Sequence, residues 1–211
     1  MKLAILLFGL SKTEIIHHSG NKIFIDYEKS YENYKKIIFD YFENIGYDID
    51  VFFTTNILDN KNEKKICEIY KPIKYNFIEK ARHEKLNNVI ELCINSRITY
   101  DLILITRFDL LFQKNFSESN IDFDKFNLVS ILEKPHLICD NFYLFPYKYL
   151  KIFSKIVKET IIRENSNVCA FHNIQKHLYH ELGINSVNYI LNENCFVYQL
   201  SFYKIVRNLC D

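Results

Sequence analysis

The chain has 211 residues, of which 48% are hydrophobic and 25% charged, and this composition is ordinary for a soluble globular protein. The formal net charge of +1 gives no electrostatic reason to expect nucleic acid or an anionic membrane as a partner. No apolar stretch approaches the roughly 18 residues that a transmembrane helix needs. We therefore expect a single domain over residues 1–211, which could belong to a longer protein.

The first predicted element is a buried parallel strand. Residues Leu3–Phe8 are uniformly apolar and end at Gly9, and this run has the length of a strand. The N-terminus also resembles a weak signal peptide, but no small-residue cleavage site follows it. A polar loop is predicted for residues 11–21.

Alternating helices and strands are predicted along the rest of the chain. Apolar residues at spacings of three and four predict a helix from about Glu28 to Asn44, ended by Gly46. The later predicted elements are a strand at 50–54, a loop at 56–65, an extended segment at 69–77, a helix at 79–96, strands at 102–105, 128–132 and 138–145, helices at 147–164 and 168–182, and short strands at 186–191 and 195–200.

This alternation predicts an α/β fold with a mostly parallel, mixed sheet and helices on both faces. In such folds ligands bind beyond the carboxyl ends of the strands. Residues 9–12, 54–56 and 107–109 all follow predicted strands. We therefore expect a binding site where these segments meet.

The six cysteines are scattered and include no C-x-x-C pair. Four of them lie beside apolar residues, which favours reduced thiols in a cytoplasmic protein over a disulfide framework or a zinc site. The Gly-rich signatures of dinucleotide and P-loop sites are absent, and so is the G-x-S-x-G signature of α/β-hydrolases.

The sequence YDLILITRFDLLF, residues 100–112, inserts Arg107 and Asp109 into an apolar run. The two residues alternate around Phe108, so both side chains can point to one side of the strand while Phe108 points to the other. A carboxylate there can hold a hard cation or a sugar hydroxyl, and a guanidinium can bind a phosphate bidentately. The alternative is a solvated ion pair at the end of the strand.

Together with LAILLFG and GYDIDVFFTTN, this motif resembles a family of small nucleotide-sugar-dependent glycosyltransferases of the GT-A fold, found in large DNA viruses and bacterial polysaccharide loci. The resemblance extends from Met1 to about Leu182. TRFD at 106–109 stands where other GT-A enzymes carry an Asp-x-Asp motif, with Arg107 in place of the first acid. DNFYLFP at 140–146 resembles the later strand that faces the acceptor.

The resemblance implies a divalent cation, with Mn²⁺ expected, held by Asp109 and a further ligand. If the metal is dispensable, Arg107 does part of its work. GT-A enzymes that use a metal often supply a late histidine, and His172, His177 and His180 are the candidates here, although an exposed helix face is the favoured interpretation for them.

The resemblance and the expected strand ends together imply the residues of the site. The base and ribose of the donor are expected against the first and second strand ends, and its sugar and phosphates against the helix that precedes the motif. The implied donor-binding residues are Phe8, Gly9, Leu10, Thr54, Thr55, Asn56, Arg82, Lys85, Asn88, Arg107 and Asp109. A solvated helix face is the alternative for Arg82.

On the acceptor side, Asp140 is the candidate general base, with Glu133 as a reserve candidate. The alternative for Asp140 is a carboxylate that caps a turn with Asn141. Asn141, Phe142 and Tyr143 are the candidates for contact with the acceptor, and Arg107 shares the catalytic role by neutralising the diphosphate.

The implied function is transfer of a sugar from a nucleotide-diphosphate sugar, with a UDP-sugar favoured, to a hydroxyl of a glycan or glycoprotein. The expected location is the cytoplasm, which is the host cytoplasm if the protein is viral. Two alternatives stay open: a nucleotidyltransferase, and a non-catalytic nucleotide-sugar or glycan-binding domain descended from such an enzyme.

Overall fold

The computed structural model describes residues 1–16, 22–130, 139–164, 174–191, 201–205 and 208–209. Its strands are β1 (Lys2–Phe8), β2 (Lys12–Ile16), β3 (Lys22–Asp26), β4 (Asp48–Thr55), β5 (Lys74–Phe77), β6 (Leu102–Arg107), β7 (Leu110–Phe112), β8 (Phe126–Leu128), β9 (Phe142–Pro146), β10 (Val187–Tyr189), β11 (Tyr203–Ile205) and β12 (Asn208–Leu209).

The central sheet has seven strands in the order β10-β8-β9-β6-β1-β4-β5. All neighbouring pairs are parallel except those made by β9, which runs antiparallel to β6 and β8. Two small sheets accompany it, one of β11 with β7 and one of β12, β3 and β2. The prediction of a mixed, mostly parallel sheet is confirmed.

The helices are α1 (Tyr27–Tyr34), α2 (Asp40–Asn44), α3 (Asn60–Tyr70), α4 (Arg82–Ile94), α5 (Leu150–Glu164) and α6 (Ile174–Leu182), and a π-helical turn, Lys35–Phe39, joins the first two. The predicted helices at 28–44, 79–96 and 147–164 are confirmed within a few residues. Three-residue 3₁₀ turns occur at Phe116–Glu118, Tyr147–Tyr149 and Ile184–Ser186.

Alternate side chains of β1 enter two separate apolar layers, as the twofold periodicity of a strand requires. Leu3, Ile5 and Leu7 pack in the layer that contains buried residues of α1, α2 and α3. Ala4, Leu6 and Phe8 pack in the layer that contains buried residues of α4, α5 and α6. The sheet therefore carries helices on both faces, as predicted.

Two predicted loops are wrong. The segment predicted as a polar loop at 11–21 contains β2, which pairs antiparallel with β3. Most of the segment predicted as a loop at 56–65 belongs to α3, whose N-terminus is capped by the Asp59 side chain. The first six residues of this helix are polar, and only Ile66 and Tyr70 are buried. The amphipathic pattern is therefore short.

Other predicted elements are shifted or lie outside the described residues. The strand predicted at 128–132 is β8, which ends at Leu128, and the strand predicted at 138–145 is β9, which begins at Phe142. Residues 131–138, 165–173 and 192–200 are outside the described ranges, and so are the candidates Glu133 and His172. Among the described helices, none combines the length and the apolarity that crossing a bilayer demands.

The topology brings distant parts of the chain to one edge of the sheet. Strands β1, β4, β5 and β6 are parallel and end at this edge, and α4 begins there because it follows β5. Strand β9 runs the other way, so residues just before it lie at the same edge. This edge is where the sequence predicts a binding site.

Candidate functional site

Arg107 and Asp109 form a buried, bidentate ion pair at the end of β6. The Arg107 Nε donates to Asp109 Oδ1 at 2.7 Å, and the Arg107 Nη2 donates to Asp109 Oδ2. The side chains are 11% and 2% exposed. The prediction that both point to one side of the strand is confirmed, and the alternative of a solvated pair is excluded by their burial.

The backbone around this pair is held by the opposite face of the sheet. Phe108 is fully buried, and its ring packs against those of Phe53 and Tyr70. From α1, the Ser30 hydroxyl donates to the Phe108 carbonyl and the Tyr34 hydroxyl donates to the Arg107 carbonyl. The apolar residue between the two charged ones therefore anchors the turn that presents them.

Asp109 also determines the charge state of Arg107. Burial alone would lower the pKa of the Arg107 guanidinium, but the charge and hydrogen bonds of Asp109 outweigh burial and raise that pKa above its ordinary value. Arg107 is therefore a permanent cation at the end of the strand.

A second ion pair lies beside the first. Arg82, the first residue of α4, donates through both terminal nitrogens to the carboxylate of Asp140. Asp140 is only 4% exposed, whereas the Arg82 side chain is 40% exposed. The contact spans 58 residues of sequence and exists because β9 begins at the edge where α4 begins.

Asn141 connects the two pairs. Its Oδ1 accepts a hydrogen bond from Arg107 at 3.1 Å and another from Arg82 at 3.3 Å. The two guanidinium groups therefore share one acceptor, and the four charged side chains and Asn141 form one network. We call these five residues the arginine–aspartate network: Arg82, Arg107, Asp109, Asp140 and Asn141.

Tyr203, which is not among the residues predicted from sequence, supports this network. The Asn141 Nδ2 donates to the Tyr203 hydroxyl at 2.9 Å, and that hydroxyl also contacts the Cys139 sulfur. Tyr203 begins β11, which pairs with β7 just after the TRFD turn. Burial raises the pKa of Cys139 to about 11, with Asp140 adding to the effect. No local sequence signal indicated this long-range contact.

Lys85 is a buried cation next to Arg82 on α4. It is 3% exposed, its Nζ donates to the Lys80 carbonyl at 2.5 Å, and no carboxylate among the described residues forms a salt bridge with it. Burial lowers the pKa of Lys85, although Glu79 and Glu84 partly oppose the effect. A buried cation that no described carboxylate pairs with costs stability unless another anionic group lies near it.

The predicted donor contacts on β4 are engaged in internal hydrogen bonds. Thr54 donates to Asn88 at 3.0 Å, and Thr55 donates to Ser11 at 2.8 Å. Asn56 donates to the Lys12 carbonyl and accepts from the backbone of Ser11. The bonds to Ser11 and Lys12 brace the end of β4 against the segment after β1, and the bond to Asn88 joins β4 to α4. The contact of these residues with a base or ribose stays a prediction.

The end of β1 leaves open space beside the backbone. Phe8 is 1% exposed, and Leu10 is half-buried. Gly9 has a φ of +103°, a conformation that favours glycine. Apart from its chain neighbours, no described residue has an atom within 4 Å of the point where a Cβ would stand. A ligand could therefore approach the Gly9 backbone closely.

Phe142 and Tyr143 do not offer a surface to a sugar. Both are completely buried: Phe142 packs against Phe112 and Phe116, and Tyr143 packs against Phe126 and Phe153. The prediction that these rings contact the acceptor is therefore corrected. Both belong to a strand in the middle of a sheet with helices on both faces, so its inward and outward positions are both core.

The described residues do not fit a divalent cation in this arrangement. Both oxygens of Asp109 are bonded to Arg107, and among the described residues no group of three or more His, Cys, Asp or Glu is placed to hold a metal. His180 is exposed near the C-terminal end of α6, and the following β10 starts at the opposite edge of the sheet. The manganese ion stays a prediction.

Comparisons with known proteins give similarity of fold only. No protein-family model matches the sequence, and no curated protein is detectably similar to it. Among solved structures, a glycosyltransferase involved in the glycosylation of the major capsid of PBCV-1 aligns with 90% of this chain and 81% of its own, at 12% identity and a TM-score of 0.47. The glycosyltransferase GlyE of Streptococcus pneumoniae TIGR4 aligns with 90% of this chain at 10% identity and a TM-score of 0.48. This chain spans 45% of GlyE.

Proposed function

We propose that this protein is a glycosyltransferase that takes a sugar from a nucleotide-diphosphate sugar, with a UDP-sugar favoured, and passes it to a hydroxyl of a glycan or glycoprotein. The observation that carries the proposal is the arginine–aspartate network at the carboxyl edge of the sheet. It combines cations that suit a diphosphate with a carboxylate that suits a hydroxyl. The resemblance of the TRFD region to GT-A enzymes agrees with this assignment.

The donor diphosphate binds at Arg82, Arg107 and Lys85. Arg82 is the exposed member of its ion pair, so it can turn toward a phosphate, and the N-terminus of α4 favours the same negative charge. Lys85 supplies a positive charge that no described carboxylate neutralises. The nucleoside then extends toward the ends of β1 and β4, where Gly9 leaves space beside the backbone.

Transfer requires one bond to form and one to break. The acceptor oxygen attacks the anomeric carbon, its proton passes to the Asp140 carboxylate, and the bond from that carbon to the diphosphate oxygen breaks. The electron pair of the broken bond goes to the diphosphate, where the guanidinium groups of Arg82 and Arg107 stabilise the added charge. Binding of the diphosphate to Arg82 draws it away from Asp140, which frees that carboxylate for the acceptor.

One observation favours the non-catalytic alternative. Both acids of the network, Asp109 and Asp140, are fully engaged by arginines in this structure. A protein that keeps these pairs when the donor binds would recognise nucleotide sugars without turnover. Transfer and binding therefore have to be measured separately.

Thermal unfolding with a panel of nucleoside diphosphates and nucleotide sugars tests the proposal. A ligand at 100 times its dissociation constant adds about 2.7 kcal/mol of stability, which raises the unfolding temperature by several degrees. We expect this shift with one nucleotide family, and we expect Arg82→Gln to reduce it. Arg97→Gln is the matched control, because Arg97 is exposed beyond the other end of α4. No shift with any nucleotide would reject the donor site.

A further inference from the structure

We propose that the Arg107 guanidinium occupies, in this protein, the place at Asp109 that a divalent cation would take, so that the donor diphosphate is bound without a metal ion. This inference rests on the proposed function and specifies its cofactor requirement. It concerns the residue pattern Arg-x-Asp at 107–109, where the resemblance implied a metal site.

The geometry of Asp109 carries the inference. A carboxylate that binds a divalent cation has to turn an oxygen toward the ion, which also needs several further oxygen ligands in near-octahedral geometry. Here each oxygen of Asp109 accepts a hydrogen bond from Arg107, and the carboxylate is 2% exposed. The nearest other acid of the network, Asp140, is held by Arg82. A cation at either oxygen of Asp109 would therefore lie beside the buried Arg107 guanidinium, whose positive charge opposes its binding.

The guanidinium can take over the electrostatic role. Arginine has five N–H donors in a planar fork, and three of those of Arg107 are used by Asp109 and Asn141 within the described residues. The other two N–H groups have no partner among the described residues and suit a phosphate. Because Asn141 Oδ1 accepts from both arginines, the guanidinium of Arg82 lies beside that of Arg107. Two adjacent guanidinium groups can bind a diphosphate through fixed hydrogen bonds.

Titration of the full chain with UDP and GDP, in excess EDTA and in excess Mn²⁺, tests the inference without any mutation. We expect one nucleotide to bind in EDTA, with dissociation constants in the two conditions that agree within about twofold. Binding that appears only with Mn²⁺ would overturn the metal-free inference and leave the proposed function intact. Failure of both nucleotides to bind in either condition would overturn both.

Two variants extend the test. Arg107→Asp removes the guanidinium from Asp109 and places acids at both 107 and 109. We therefore expect this variant to lose nucleotide binding in EDTA and to regain it with Mn²⁺. Arg97→Asp makes the same change of charge at an exposed position and should behave as the wild type. A variant Arg107→Asp that binds UDP equally well in EDTA would contradict the role assigned to Arg107, provided that its circular dichroism shows a folded chain.

Discussion

The Tyr203 hydroxyl accepts a hydrogen bond at 2.9 Å from the side-chain amide of Asn141, the residue that joins Arg82 and Arg107. This bond orients the amide so that its oxygen faces both guanidinium groups. A residue near the end of the chain thereby positions two arginines that are 25 residues apart in sequence.

We expect Tyr203→Phe to weaken UDP binding, because the Asn141 amide loses the partner that orients it. The same change leaves buried polar groups unpaired, which costs about 1–3 kcal/mol of stability. Calorimetric titration measures the first effect and urea unfolding the second. Tyr75→Phe, at a tyrosine that is 47% exposed, is the control. If Tyr203→Phe and Asn141→Ala reduce binding additively, the two residues do not act as a unit.

Breaking the Arg107–Asp109 pair should destabilise the protein strongly. Arg107→Leu leaves a buried carboxylate without its partner, and such a loss costs about 3–5 kcal/mol in urea unfolding. The double change Arg107→Leu with Asp109→Leu removes both charges and should recover much of this loss while binding no nucleotide. A single Arg107→Leu variant as stable as Arg97→Leu would show that the pair is not buried in solution.

The buried charge of Lys85 should lower the stability of the folded protein while favouring the binding of an anionic ligand. Because the folded-state pKa of Lys85 lies below its ordinary value of 10.5, the folded protein binds fewer protons than the unfolded chain between these two pKa values. Stability should therefore rise with pH across that window, and the full penalty is present below the folded-state pKa. We expect Lys85→Met to unfold at a higher temperature at pH 7 than the wild type, and its stability to depend less on pH between the folded-state pKa of Lys85 and 10.5.

The same Lys85→Met variant should bind UDP more weakly, since it lacks the buried positive charge. Gain of stability with loss of affinity cannot result from misfolding, so the variant separates a binding role from a structural one. Unchanged affinity for UDP in a stabilised Lys85→Met protein would remove Lys85 from the donor site.

The thiol of Cys139 should resist alkylation in the folded protein. It is 1% exposed and its pKa is raised to about 11, so little thiolate forms near pH 8. Mass spectrometry after brief treatment with iodoacetamide should find Cys139 unmodified until urea is added. Rapid labelling of Cys139 in the absence of urea would indicate that β11 opens readily.

The local part of the site could be predicted from sequence, and the long-range part could not. Arg107 ends β6 and Asp109 lies in the turn that follows, but the twofold periodicity of a strand still predicts both side chains on one side with Phe108 opposite. The contact of Arg82 with Asp140 depends on the antiparallel direction of β9, which no local pattern encodes. Tyr203 lies still further along the chain.

The errors in the prediction have a related cause. The aromatic residues Phe142 and Tyr143 follow the candidate base, and this order predicts a surface for the acceptor. The position of β9 inside the sheet instead buries both of its faces in the core. The polar sequence at 56–65 predicts a loop, although most of it belongs to α3, because the buried face of this helix contains only two residues. In both cases tertiary packing decides what local composition leaves open.

Sugar transfer is tested by measuring the release of nucleoside diphosphate from a panel of UDP- and GDP-sugars, with and without candidate glycan acceptors. We predict that the wild type and the exposed-site control Asp124→Asn release UDP from one donor, and that Asp140→Asn binds UDP but releases none. Release of pyrophosphate from a nucleoside triphosphate mixed with a sugar 1-phosphate, in a parallel assay, would instead indicate a nucleotidyltransferase. Tight UDP binding without release from any donor would contradict catalysis and leave a nucleotide-sugar-binding domain.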